Sequence, residues 1–371
     1  MMKRPRLISA NPYEKDVKQD ENLGDLVGRL PDDILVNIIS RLTLKEAART
    51  SVLSSRWKYL WTFTSSLKFD PGRSILRYTL GMNPSEEERS KYINWVNKVL
   101  ESHRGSINEF KVIFDLGDAH ASSITNWIYT AISKRVQSLA LYFIHLGPTY
   151  TFPQECCNIL KNQCGIKSLR YLCFYGVNVT GEILEFFIYN CPLDGLYVVW
   201  SSTLSSLKVV GSSTQLKYLG INYCRNLKEV KISAPNLLFF DYTGPKIKLH
   251  VENVPQLFDV TIGGSDRVEP GQVISPIVSY FPQLKNLDLR FYADEVYKQF
   301  KNCGLPKLRH LTLQVLPCTH KRLFWLASIL NKCPILEKLT LKLHSQFFVV
   351  GGRVIQHKIC RFPLPNPQSS S

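Results

Sequence analysis

A chain of 371 residues is about twice the usual domain length, so it holds two domains, or one domain joined to an elongated repeat array. Apolar residues make up 44% and charged residues 20%; no apolar run approaches the roughly 18 residues of a membrane-spanning helix, and none follows the basic start Met1-Met2-Lys3-Arg4 to make a secretory signal. The net charge of +16 admits an acidic partner, but residues 1–70 carry 12 basic and 9 acidic side chains, which leaves +13 spread over the remainder without a basic block.

Residues 1–24 are polar and charged, and they read as a disordered arm. Dense helical patterning starts at Leu26. Leu30-Pro31-Asp32-Asp33-Ile34-Leu35 places proline at the first helical position, followed by two carboxylates in the first turn, where the helix dipole favours them. Ile34, Leu35, Ile38, Ile39 and Leu42 then recur at helical spacing. Thr43-Leu44-Lys45-Glu46 fits a capping box opening a second helix, with Leu42 and Ala47 at the positions of a hydrophobic staple. Ser54-Ser55 offers an N-cap for a short third helix holding Trp57, Leu60 and Trp61.

Three helices in so few residues cannot bury that apolar surface alone, so a neighbouring domain or another chain must cover it. The Leu-Pro-x-x-Ile-Leu start followed by Ser54-x-Arg56-Trp57-x-x-Leu60-Trp61 resembles the F-box, over residues 25–69. That resemblance implies docking on the Skp-type adaptor of a cullin ubiquitin ligase core. It makes Leu30, Pro31, Ile34, Leu35, Ile38, Leu42, Val52, Trp57 and Leu60 the adaptor-contact or supporting set, without separating the two roles.

A linker over 70–105 follows the break Asp70-Pro71-Gly72 and contains a helix opened by Ser85-Glu86-Glu87-Glu88, with Tyr92, Trp95, Val96, Val99 and Leu100 as its apolar stripe. Residues 106–345 repeat the spacing L-x-x-L-x-L, clearest in Leu284-x-x-Leu287-x-Leu289. Ten such units start at Ile107, Val136, Leu169, Leu193, Leu216, Leu237, Leu257, Leu284, Leu308 and Leu336, and a tail occupies 346–371. Two extra matches, at Leu204 and Leu227, come too soon to close a coil and are placed on its opposite side as short strands. Prolines 235, 255, 282, 306 and 334 stand two residues before an anchor and stop the preceding segment.

The fold class is therefore α/β: a short three-helix F-box, then a leucine-rich-repeat solenoid with a parallel concave sheet. The combination resembles the plant F-box/leucine-rich-repeat family, some members of which carry an FBD region; the ending Arg361-Phe362-Pro363-Leu364-Pro365 suggests no complete FBD here.

Strand alternation turns the x residues of each unit away from its buried leucines. Tyr171, Tyr197, Tyr218 and Phe239 then form an aromatic zone, Asp241, Asp259 and Asp288 an acidic one, and Arg290, His310 and Lys338 a basic one. Such a graded surface suits recognition of a target protein, since exposed aromatics are favoured anchors; the same aromatics could equally be ladders that stabilise neighbouring strands. The ten cysteines all follow residue 155 without Cys-x-x-Cys or zinc spacing, so buried, reduced thiols are expected. No catalytic, metal or cofactor motif is found.

The expectation is a non-catalytic substrate receptor of an SCF-type ligase, in the nucleus or cytoplasm, without cofactor, metal or membrane contact. The alternative is a basic leucine-rich scaffold for nucleic acid or another acidic ligand. The F-box resemblance and the dispersed charge favour the receptor.

Overall fold

The computed structural model describes residues 27, 29–72, 83–143, 149–211, 215–264, 283–292, 305–316, 330–343, 349–350 and 353–354. The expected arm over 1–24 lies outside them. The chain divides into two compact units between Thr64 and Ser65.

In the first unit a helix spans Asp32–Ile39, with Pro31 as its cap (ψ 152°) rather than its first helical residue. The Arg56 guanidinium ties the far end of the unit to this start: Nε donates to Asp32 Oδ1 at 2.8 Å and a second nitrogen to the Leu30 carbonyl. The Leu44–Arg49 helix opens with the expected capping box, the Thr43 amide donating to Glu46 Oε2 at 2.9 Å and the Glu46 amide to Thr43 Oγ1 at 3.3 Å. The expected staple is not made in the expected way, because Leu42 stays 42% exposed while Ala47 is buried.

The expected third helix is also absent. Residues 55–59 form turns, and Leu60–Phe63 is a single 3₁₀ segment. Aromatic and β-branched residues are poor helix formers, and the Thr62 and Thr64 hydroxyls donate to the carbonyls three residues back (Tyr59 O at 2.7 Å, Trp61 O at 2.9 Å), which suits the tighter turn. Leu35, Ile39, Ala47, Trp57 and Leu60 close the core, with Leu30, Val36 and Trp61 packed against it.

The second unit is built on an eleven-stranded parallel sheet. In spatial order its strands are β1 (Ser66–Phe69), β2 (Glu109–Phe114), β3 (Ser138–Phe143), β4 (Tyr171–Tyr175), β5 (Gly195–Val199), β7 (Tyr218–Asn222), β9 (Phe239–Gly244), β11 (Asp259–Gly264), β12 (Asn286–Tyr292), β13 (His310–Leu316) and β14 (Lys338–Leu343). Each of the ten repeat units supplies one strand, and β1 is an addition. One register row runs Leu67, Phe110, Leu139, Leu172, Leu196, Leu219, Phe240, Val260, Leu287, Leu311, Leu339, so the large apolar residue of every coil stacks on that of the next. No coil closes its core without its neighbour.

The helix expected to link the regions, Glu86–Ser102, belongs to this second unit. It starts on a capping box between Ser85 and Glu88. Tyr92 stacks on Phe114 at 4.1 Å and donates its hydroxyl to the Phe69 carbonyl at 2.7 Å, while Trp95 meets Phe69 edge-on at 5.2 Å. Strand β1 and this helix thus form a first coil ahead of the ten expected ones.

Later coils carry helices Ala121–Ser133, Glu155–Lys161 and Gly181–Asn190. After these the second layer is a three-stranded parallel sheet of β6 (Ser206–Val210), β8 (Glu229–Ser233) and β10 (Lys248–Glu252). Strands β6 and β8 are the two early matches placed opposite the concave strands; β10 was not anticipated. The prolines have a shared local role: in Ala234-Pro235-Asn236-Leu237, Val254-Pro255-Gln256-Leu257, Leu305-Pro306-Lys307-Leu308 and Cys333-Pro334-Ile335-Leu336 the fourth amide donates to the first carbonyl, making turns with proline at the second position. Pro282 lies outside the described residues. Of the expected tail, Val349–Val350 pairs antiparallel with Arg353–Val354.

Six of the seven described cysteines are buried and Cys164 is exposed. Burial pushes the Cys191 and Cys224 thiols up to about 12, and those of Cys157 and Cys333 to about 11, so all four stay protonated and unreactive at neutral pH. Brief alkylation of the native protein at pH 7.5 is therefore expected to label Cys164 first among these seven by peptide mass spectrometry, the buried thiols following only after denaturation.

Candidate interaction surfaces

The first unit separates the adaptor set that the sequence left merged. Leu35, Trp57 and Leu60 are core residues and Leu30 packs against them. Ile34, Ile38, Leu42 and Val52 face outward, at 44%, 43%, 42% and 87% exposure, and Pro31 is exposed beside them. Ile34 and Ile38 are one helical turn apart and so share one face. Leu53 and Tyr59, which sequence reasoning missed, are exposed as well. They carried no signal of their own, because the helical frame that would have placed them ends in 3₁₀ turns.

On the large sheet the alternation is as expected: Leu172, Leu196, Leu219 and Phe240 are fully buried, while Tyr171, Tyr197, Tyr218 and Phe239 are half-buried on the opposite face. Tyr171, Gly195, Tyr218, Phe239, Asp259, Asn286, His310 and Lys338 occupy one register row, and Cys173, Tyr197, Gly220, Asp241, Thr261 and Asp288 the next. Tyr197 lies flat over Gly220, its ring carbons 2.3 Å from where a Cβ would stand, and packs with Cys173, Ala140, Tyr142 and Ile113. It therefore has a structural part besides any contact with a partner. Burial and the neighbouring Asp194 carboxylate raise the Tyr171 hydroxyl above its ordinary range, keeping it a hydrogen-bond donor.

Asp241, Asp259 and Asp288 lie on β9, β11 and β12 and Arg290, His310 and Lys338 on β12, β13 and β14, so the acidic and basic residues follow in that order and meet on β12. Asp241 is 3% exposed, and Arg290 sits 3.9 Å from its carboxylate and 3.8 Å from that of Asp288. Gln314 donates to both Asp288 oxygens, at 3.1 and 2.9 Å. In the other row Asn286 bridges Asp259 at 3.1 Å and His310 at 2.9 Å, and Lys338 is exposed beyond them. Cross-strand hydrogen bonding thus joins Asp259 to His310 and Asp288 to Gln314. The described residues contain no group of acidic, histidine and cysteine side chains that could hold a metal, and no helix among them is long and apolar enough to cross a membrane.

A small helical unit with an apolar outer face, followed by a parallel solenoid of L-x-x-L-x-L coils, defines a leucine-rich-repeat protein with an F-box. Residues 99–358 match the family described as At1g61320/AtMIF1, LRR domain, residues 28–68 match the F-box domain, and the chain belongs to this F-box/leucine-rich-repeat family. Among its relatives in Arabidopsis thaliana, F-box/LRR-repeat protein At2g42730 is 29% identical over 62% of this chain and 55% of its own length. FBD-associated F-box protein At4g10400 is 29% identical over 64% of this chain and 61% of its own length. The putative F-box/LRR-repeat protein At4g15060 is 26% identical over 87% and 82%. Against the first two the chain spans little more than half of the relative.

Proposed function

We propose that the chain is the substrate-recognition subunit of an SCF-type ubiquitin ligase, acting in the nucleus or cytoplasm. Its F-box docks on a Skp-type adaptor within a cullin ligase core, and its repeats hold a target protein for ubiquitin transfer. The chain contributes orientation, and the chemistry belongs to its partners.

The observation that carries this reading is the exposure of Ile34, Ile38, Leu42, Val52 and Leu53 on a unit whose core is already closed by Leu35, Ile39, Ala47, Trp57 and Leu60. Fully burying one such side chain is worth about 1.5–3 kcal/mol, so several together on one small unit favour a partner. Co-expression of the full chain with a Skp-type adaptor tests it. The expected result is a co-eluting complex that also captures the cullin, and an adaptor that elutes alone would refute it.

Nucleic acid is not the preferred partner, because exposed cations are interleaved with acids: Lys231 meets Glu229 at 3.4 Å and Lys217 meets Asp194 at 2.8 Å. A duplex DNA titration between about 50 and 200 mM salt is expected to show only weak binding at the upper end. Tight binding there, falling log-linearly as salt rises, would favour the scaffold reading instead.

A further inference from the structure

From Asn108 to Arg309 the residue just before each concave strand accepts two amides of the next coil, so these residues form a lip along the amino-terminal edge of the large sheet. In its later part the Leu238 carbonyl accepts from Phe258 and Asp259, that of Phe258 from Lys285 and Asn286, that of Lys285 from Arg309 and His310, and that of Arg309 from Glu337 and Lys338. Eight of the ten repeat units place a polar or charged residue on the lip; the two exceptions, Leu238 and Phe258, are neighbours. Leu238 is half-buried, Phe258 is 38% exposed, and the half-buried Phe239 follows on the sheet face. The lip therefore carries one apolar interruption.

Beyond Phe258 the edge turns basic. Lys285 follows it in the row, Lys307 stands in the turn leading into β13, and Lys338 opens β14; all three are exposed. None of these ammonium groups has a carboxylate partner among the described residues, whereas Arg309 beside them is paired with Glu337. A partner's carboxylates can thus meet the three lysines without first breaking an ion pair. On the other side of the apolar step the nearest lip cation is Lys217, which is already held by Asp194 at 2.8 Å.

We infer that this stretch of the lip docks an acidic segment of the target protein, with an aromatic side chain seated on Leu238 and Phe258 and carboxylates following toward Lys285, Lys307 and Lys338. The inference rests on the reading that the repeats hold a target. From β11 to β14 is three strand steps, about 14 Å, which an extended segment covers in about four residues. The bound segment therefore carries its carboxylates within about four residues of the aromatic anchor. The ring supplies desolvated contact area, while the cations set the direction and speed of approach. The order is directional, because a segment laid the other way would bring its carboxylates to the occupied Lys217. A nucleic acid strand could use the same lysines, but its phosphates would continue past the ring onto Asp259 and the Lys217–Asp194 pair.

Fluorescence anisotropy with the full chain tests this, using labelled Trp-Asp-Glu-Asp-Glu, the same peptide with alanine in place of tryptophan, Trp-Ser-Ser-Ser-Ser, and oligouridylate. Saturable binding of the acidic tryptophan peptide is expected, at least tenfold tighter than that of either control peptide, and it should weaken as salt rises. Lys285→Glu with Lys338→Glu should weaken it at least tenfold and create affinity for Trp-Lys-Arg-Lys-Arg. Tm should stay within a few degrees, since both side chains are exposed and neither meets a carboxylate. Phe258→Ser should remove the advantage of tryptophan over alanine. Equal binding of the tryptophan and alanine peptides, indifference to the lysine variant, or tighter binding of oligouridylate that depends on the same lysines would overturn the inference. The titration needs no adaptor, so its failure leaves F-box docking standing, and a failure of adaptor capture leaves the titration standing.

Discussion

Replacing Ile34 and Ile38 together with aspartate is expected to abolish capture of the Skp-type adaptor while the chain stays folded. Both side chains are near 44% exposed on the Asp32–Ile39 helix, so removing them opens no cavity in the core formed by Leu35, Ile39, Ala47, Trp57 and Leu60. At an interface, each lost anchor costs about 2 kcal/mol or more, and burying an unpaired carboxylate adds to that, so the pair should weaken binding by about a thousandfold. Pull-down of co-expressed adaptor reads the loss, and circular dichroism with an unchanged Tm shows that folding is intact. Leu35→Ala should behave differently, reducing capture only as the unit itself unfolds. Undiminished capture by the double aspartate variant would remove this face from the docking role.

The second large effect separates the two sides of the large sheet. Leu196→Ala or Leu219→Ala should cost about 2–5 kcal/mol, because each residue is fully buried between coils that cannot collapse around the space. For a unit of this size that is a fall in Tm of about 5–15 °C by calorimetry. Tyr218→Ala, on the half-buried side, should change Tm little and reduce target recruitment instead. Tyr197→Ala lies between, since its ring covers Gly220 and packs on Cys173. A stable Leu196→Ala beside a collapsed Tyr218→Ala would mean that the strand frame is off by one residue.

The strand frame was legible because stacking coils demand large apolar residues at fixed spacing, and all ten anchored units became strands. Where the anchor is polar the signal vanished. Strand β1 follows Thr64 in Thr64-x-x-Leu67-x-Phe69, and β10 follows Lys246 in Lys246-x-x-Leu249-x-Val251, so neither was recognised. The F-box helices were readable from their caps, but the last segment was not, because side-chain hydroxyls bonding back to the chain compete with the helix there. The order of charge along the sheet was legible, but the contacts were not: the Arg290 side chain reaches both Asp241, at 3.9 Å, and Asp288, at 3.8 Å. The left-handed turns at Trp200 (φ 58°) and Tyr223 (φ 57°), just past their strands, escaped for a backbone reason, since nothing in an aromatic residue announces a positive φ. The available clue was spacing: Gly176, Trp200 and Tyr223 step by 24 and 23 residues, as do the anchors Leu169, Leu193 and Leu216.

The membership of β1 in the sheet has a practical consequence for dissecting the chain. A fragment cut after Phe69, at the end of the F-box resemblance, would lose β1 and strip the Phe69 carbonyl and ring from Tyr92 and Trp95. Its outermost strand would become β2, with unpaired backbone groups along Glu109–Phe114 open to edge-to-edge association. A fragment beginning at Ser65 keeps that edge covered. The repeats should therefore be obtained as a monodisperse species only when five residues that look like the end of one module are left on the start of the next.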